Sequence, residues 1–228
     1  MSLTPLTLSV DGDTNVSALW LQPSRPCCTY VFAHGAGAGM HHGFMEALAQ
    51  ALCDQSVATL RYQFPYMERG SKRPDAPALA QATVRAAVAA ARERLPATPL
   101  FAGGKSFGGR MTSQAQAAAP MDGVRGLAFV GFPLHPAGKP GIARAEHLAQ
   151  VPVPMLFLQG TRDELADLAL LRGVVDGLGG HATLHLEDDA DHAFHVRARS
   201  GRTDAQVVLA LAAAMAAWCV RHAGGQPS

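Results

Sequence analysis

The segment from Leu100 to Arg110, LFAGGKSFGGR, places one serine, Ser106, between Gly104 two positions before it and Gly108 two positions after it. An apolar run leads in and a helix-forming run, Met111 to Ala119, leads out. Strand, sharp turn and helix with a hydroxyl at the apex is the layout that lifts a serine Oγ clear of a sheet. It demands small residues at both flanking positions, because a Cβ there would strike the crossing chain. The chemistry this suggests is nucleophilic. A phosphate-binding reading of Gly104-Lys105-Ser106 fails, because that motif needs a glycine five positions earlier and Pro99 stands there.

A serine hydroxyl at neutral pH needs a base within hydrogen-bond reach, and the base needs a third group to fix its tautomer. His192, in the loop after the last strand-like run, is the candidate base. Asp163, just after the apolar run Pro154 to Leu158, is the candidate orienting acid, with Glu164 as a nearby rival. His195, His185 and His181 compete with His192, and Asp163 could instead cap a following helix. A tetrahedral oxyanion would need two backbone N–H donors. Phe107, the residue after the serine, is one candidate, and Ala36 in His34-Gly35-Ala36-Gly37 is the other. Ser106 could also be a plain helix cap, but a cap does not require glycines on both sides. His34 reads as a support beneath the oxyanion loop, and His41 and His42 as pocket or surface residues. Asp189 and Asp191 read as solvated or turn-forming. Lys105, Arg110 and Arg61 either read a substrate anion or make structural contacts.

The elements that must position these residues alternate along the chain. Leu6 to Val10 and Val16 to Leu21 read as an antiparallel hairpin. Buried strands are expected at Thr29–Ala33 and Gly126–Val130, and further strands at Val57–Gln63, Leu100–Ala102, Pro154–Leu158 and Thr183–Leu186. Helices are expected at Met45–Gln55, Ala78–Leu95, Met111–Ala119, Ile142–Gln150, Leu165–Leu178 and Thr203–His222, with a polar loop from Met67 to Pro77 and a frayed tail from Gly224 to Ser228. Such alternation predicts an α/β fold: a mostly parallel central sheet with helices on both faces, in a single domain over 1–228. Ligand chemistry in such sheets gathers at the carboxyl ends of the strands, where all the unusual loops of this chain fall.

Composition narrows the rest. The 228 residues are 48% hydrophobic with a net charge of +1, enough for a large core and no basic face for nucleic acid or an anionic membrane surface. No apolar run of about 18 residues is evident and the start lacks the pattern of a signal peptide. Cys27, Cys28, Cys53 and Cys219 form no metal or redox spacing and read as reduced thiols of a cytoplasmic protein. No histidine pair has metal-site helical spacing, so neither metal nor cofactor is expected. The expected partner is a small-molecule ester, and a homodimer is left open.

Six segments, FAHGAGAGM, LRYQFPY, GGKSFGGRM, GFPLHP, LFLQGTRDE and DADHAF, reach from Phe32 and Ala33 to Phe194. Through them the chain resembles a compact α/β-hydrolase, similar to the testis-expressed-30-like and dienelactone-hydrolase-like branches. The resemblance implies an α/β-hydrolase fold with Ser106, Asp163 and His192 as catalytic triad. Dienelactone hydrolases carry cysteine at the nucleophile position, so Ser106 points away from lactone chemistry and toward a carboxylesterase working through an acyl-enzyme. Larger relatives insert a helical lid between the strand ending at Val130 and the one starting at Pro154. Only Gly131 to Val153 lies there, so no large lid domain is expected. The open cleft is expected to be rimmed by Phe64, Tyr66, Phe107, Phe132 and Leu134, with Lys105 beside the serine. The alternatives are a non-catalytic binding or scaffold module on the same fold, or a perhydrolase.

Overall fold

The computed structural model describes residues 2–224. The tail expected to fray lies, beyond Gly224, outside the described residues. The strands β1 (Ser2–Ser9), β2 (Asn15–Gln22), β3 (Cys28–Ala33), β4 (Val57–Tyr62), β5 (Leu100–Lys105), β6 (Val124–Val130), β7 (Met155–Gly160) and β8 (Ala182–Glu187) form one sheet. Its order is β1-β2-β4-β3-β5-β6-β7-β8. β2 runs antiparallel to both β1 and β4, and every pairing from β4 to β8 is parallel. The expected hairpin therefore stands at the sheet edge, where Pro5 in β1 costs no interior ladder bond.

Alternation along each inner strand sorts side chains between two cores. Val31, Leu60, Ala102, Leu127, Phe129 and Phe157 face one side, beneath α3 (Pro77–Arg94), α4 (Phe107–Ala118) and α5 (Leu168–Leu178). Tyr30, Phe32, Phe101, Ala128, Val130 and Leu158 face the other, beneath α1 (Gly43–Asp54) and α6 (Asp204–Ala223). Burial on both faces is why these strands read as continuous apolar runs.

Four expectations need correction. The helix expected from Leu165 begins only at Leu168, because Asp163 folds the intervening residues into a turn and Asp167 is the actual cap, accepting from Leu170 N at 2.9 Å. The loop after β4 opens with a short helix, α2 (Pro65–Glu68), started by proline at its first position. The segment Ala143–Gln150 winds as a 3-10 helix. Finally, α6 is apolar and long enough, by length and composition, to cross a membrane. Its buried stripe of Val207, Leu211, Met215 and Trp218 packs against the sheet.

Between β6 and β7 the chain has only a loop and that 3-10 helix, so no lid covers the carboxyl ends of the strands. There β3 and α4 approach β5 too closely for side chains. A Cβ on Gly104 would come within 2.5 Å of Ala33 O, and one on Gly108 within 2.6 Å of Ala33 Cβ and of His34 O. Gly104→Ala should therefore destabilise the fold by about 1–3 kcal/mol, read as a lowered urea midpoint. An unchanged midpoint would contradict this packing.

Candidate active site

Ser106 joins β5 to α4 with φ 51° and ψ −115°, a left-handed backbone that a non-glycine residue adopts only under strain. Its N–H is held by Val130 O at 3.1 Å and its carbonyl accepts from Arg110 N at 3.1 Å. The residue sits at the helix cap position, but its hydroxyl caps nothing. It is turned instead toward His192, whose Nε2 lies 2.9 Å from Ser106 Oγ.

On the other side of that imidazole, Nδ1 lies 2.7 Å from Asp163 Oδ2. A carboxylate can only accept, so Nδ1 carries the proton and Nε2 is free to accept from the serine. Asp163 is buried, and its charge is met by three donors: His192, the Gln159 side-chain amide, and Leu165 N at 2.8 Å from Oδ1. Gln159 is itself fixed, accepting from Phe132 N at 2.9 Å. Asp191 shapes the His192 loop by accepting from Ala193 N and His195 N. The rivals are placed elsewhere. Glu164 is exposed, His195 pairs with Asp204 at 2.9 Å, His185 with Glu187 at 3.0 Å, and His181 is exposed.

The loop after β3 is braced from below. Phe64 N donates to His34 Nε2 at 3.1 Å, which makes Nδ1 the protonated nitrogen, and Nδ1 donates to Gly35 O at 2.8 Å. Tyr66 OH accepts from Gly37 N at 3.0 Å, and Gln63 accepts from Met40 N at 2.9 Å. These contacts hold Ala36 beside Ser106, with Phe107 N at the first turn of α4 on the other side. Among the described residues neither Ala36 N nor Phe107 N has a hydrogen-bond acceptor.

Residues 26–220 match the alpha/beta hydrolase domain family. The chain belongs to the α/β hydrolases. Its fold is that of solved relatives of low identity. An α/β serine hydrolase without lid from Xanthomonas campestris is 23% identical with a TM-score of 0.73, the match covering 99% of this chain and 97% of the other. A dienelactone hydrolase from Anabaena variabilis is 19% identical with a TM-score of 0.78, covering 97% and 98%. The esterase domain of a Rhodothermus marinus protein is 16% identical with a TM-score of 0.75, covering 98% and 100%.

In this α/β hydrolase a cavity of about 350 Å³ opens above Ser106 and His192. Gly35, Ala36, Ala38, His42, Phe44 and Met45 line one side, and Lys105, Leu165 and Ala193 the other. The expected aromatic rim is not there. Phe64, Tyr66, Phe132 and Leu134 are fully buried core residues, and Phe107 packs edge-on against Phe64 at 5.4 Å. Apolar residues beside a glycine-rich loop can point up to solvent or down to the core, and here they form the floor. Phe64 and Tyr66 still serve the site, by bracing the loop after β3 through a backbone N–H and a phenol. Of the expected binding residues only Lys105 faces the cavity, and its Nζ donates to His192 O at 2.5 Å. Arg110 lies instead beside Arg144 and His147, and Arg61 donates to Met40 O at 2.9 Å beneath the loop. Phe44, Met45 and Leu165 were missed; their only signal was that their loops lead away from strand ends. Among the described residues no three His, Cys, Asp or Glu side chains converge as a metal ion would need.

Burial holds the His34 imidazole at about 4, against an ordinary 6.5, and keeps it neutral beneath the loop. Burial, then the Arg110 charge, places His147 at about 4 as well. The unfolded chain binds these protons at higher pH than the folded one. Stability is therefore full above pH about 6.5 and falls as pH drops toward 4, His34 contributing up to about 3 kcal/mol. Chemical denaturation across this window should show that slope, and His34→Asn should make it shallower. Identical slopes would contradict a buried neutral His34.

Proposed function

We propose that this α/β hydrolase is a serine carboxylesterase that cleaves small acyl esters through an acyl-enzyme. The observation that carries the proposal is the unbroken relay from buried Asp163 through His192 to Ser106 Oγ, at 2.7 and 2.9 Å, with the serine strained into the floor of an open cavity.

In this reading His192 Nε2 takes the Ser106 proton as Oγ attacks the ester carbonyl. Asp163 stabilises the imidazolium and keeps its proton on Nδ1. The carbonyl oxygen becomes an oxyanion between the N–H groups of Ala36 and Phe107, two donors with no other acceptor. Each such donor is typically worth about 3–4 kcal/mol of transition-state stabilisation. His192 then returns its proton to the departing alcohol, and a water activated by the same imidazole releases the acid. The mostly apolar walls of Phe44, Met45 and Leu165, the modest volume and the absence of a lid favour short acyl groups over long lipids. That relatives of the same fold include an esterase domain supports ester cleavage. Serine in place of cysteine at the nucleophile position favours the testis-expressed-30-like branch over the dienelactone hydrolases. A pure scaffold has no use for a strained serine aligned on a histidine with a fixed tautomer.

Turnover of p-nitrophenyl acetate and butyrate is expected, and Ser106→Ala should lower it by at least about 10⁴-fold at unchanged thermal stability. Wild-type turnover no better than that of the folded variant would overturn the proposal.

A further inference from the structure

Lys105 stands one residue before the nucleophile, where its side chain meets three of the loops that build the site, those after β3, β6 and β8. Its stem runs past Gly35, since a Cβ there would lie 3.5 Å from Lys105 Cγ. It then passes Gly131, at φ +68°, where a Cβ would come within 2.9 Å of Nζ and 3.5 Å of the His192 ring. Nζ ends 2.5 Å from the backbone carbonyl of His192 and 5.4 Å above the ring of Phe194. Phe194, itself at φ 64°, stacks on Phe44 of the cavity wall at 5.6 Å. The ammonium is thus spent on the loop that carries the base, in a position where a substrate anion would have to displace His192 O.

We infer that Lys105 is a positioning residue: its ammonium, donating to the His192 carbonyl, holds the imidazole in line between Asp163 and Ser106. The inference rests on the serine-hydrolase reading above. Without this strut, the His192 loop keeps the Asp191 turn and the Ala190–Val196 bridge. Among the described residues nothing then ties the backbone of His192 itself to the strand end that carries the serine. A shift of about 1 Å between base and nucleophile is enough to cost about 100-fold in rate.

The charged and titratable groups facing Nζ are Asp163 after β7, Asp191 and His192 after β8, Ser106 beside it and His42 across the cavity. Burial lowers the Lys105 amine to about 8, against the pull of Asp163 and Asp191 in the other direction. It is charged below that pH and neutral above it, and a neutral amine is the weaker donor, charge-assisted hydrogen bonds being about twice as strong.

The test compares wild type with Lys105→Met on p-nitrophenyl acetate, a neutral ester, and on a p-nitrophenyl ester bearing a terminal carboxylate. It also follows the downfield Nδ1 proton of His192 by NMR. The strut predicts kcat lowered about 10- to 100-fold on both esters, with KM within about twofold, and the Nδ1 resonance broadened or lost. Wild-type kcat should fall several-fold as pH rises through about 8, and the variant should lack that limb. Unchanged kcat on the neutral ester, with KM raised only for the carboxylate ester, would assign Lys105 to substrate binding and overturn the inference. If the variant does not fold, a wild-type profile flat through pH 8 overturns it. If neither protein turns over any ester, the esterase reading fails, and the Nδ1 resonance alone decides the role of Lys105: unchanged, it overturns the strut.

Discussion

The site depends on the close approach of β3 and α4 at the end of β5. Gly104 and Gly108 bring backbone to within distances of Ala33 and His34 that no Cβ would permit. That contact bends the chain sharply enough to force Ser106 into the left-handed region, with its Oγ raised off the sheet. The same contact sets the loop after β3 beside the first turn of α4, so Ala36 N and Phe107 N flank the serine. One steric constraint therefore places both the serine and the two backbone donors that the proposed reaction would use.

Electrostatics fix what sterics do not. Asp163 is a buried charge, tolerable because His192, Gln159 and Leu165 N all donate to it. Those donors come from the end of β7, the turn before α5 and the loop after β8, so a single carboxylate ties three segments together. His34 does the converse job under the loop after β3. As a neutral imidazole it accepts from one segment and donates to another, and burial keeps it neutral. The side chains of Asp163, His192 and His34 are held by partners on different segments, and the site is open because the β6–β7 connection is short.

Much of this was legible in the sequence, for physical reasons that differ by residue. Strands buried on both faces and helices with one apolar stripe have distinct patterns, so the α/β alternation and its order could be read. Ser106 could be read because glycines at minus two and plus two have a steric meaning. Asp163 and His192 could be read because strand ends are where such a sheet collects chemistry. The aromatic rim could not. Phe64, Tyr66, Phe132 and Leu134 follow strand ends just as a rim would, and only the packed structure shows that they point inward. Gln159 was hidden as a strand residue, and its amide role appears only when β7 is set beside β6. The hold of Lys105 on His192 joins residues 87 apart in sequence, through a backbone carbonyl that no side-chain pattern encodes.

The central claim is that strand-end loops assemble an acyl-transfer site on Ser106, with Ala36 N and Phe107 N waiting for the oxyanion. A crystal structure of the protein reacted with a fluorophosphonate tests it most directly. The account predicts phosphorus bonded to Ser106 Oγ and one phosphoryl oxygen about 2.7–3.1 Å from both backbone nitrogens. Unreacted folded protein, or an adduct whose oxygen points away from Ala36 and Phe107, would contradict it.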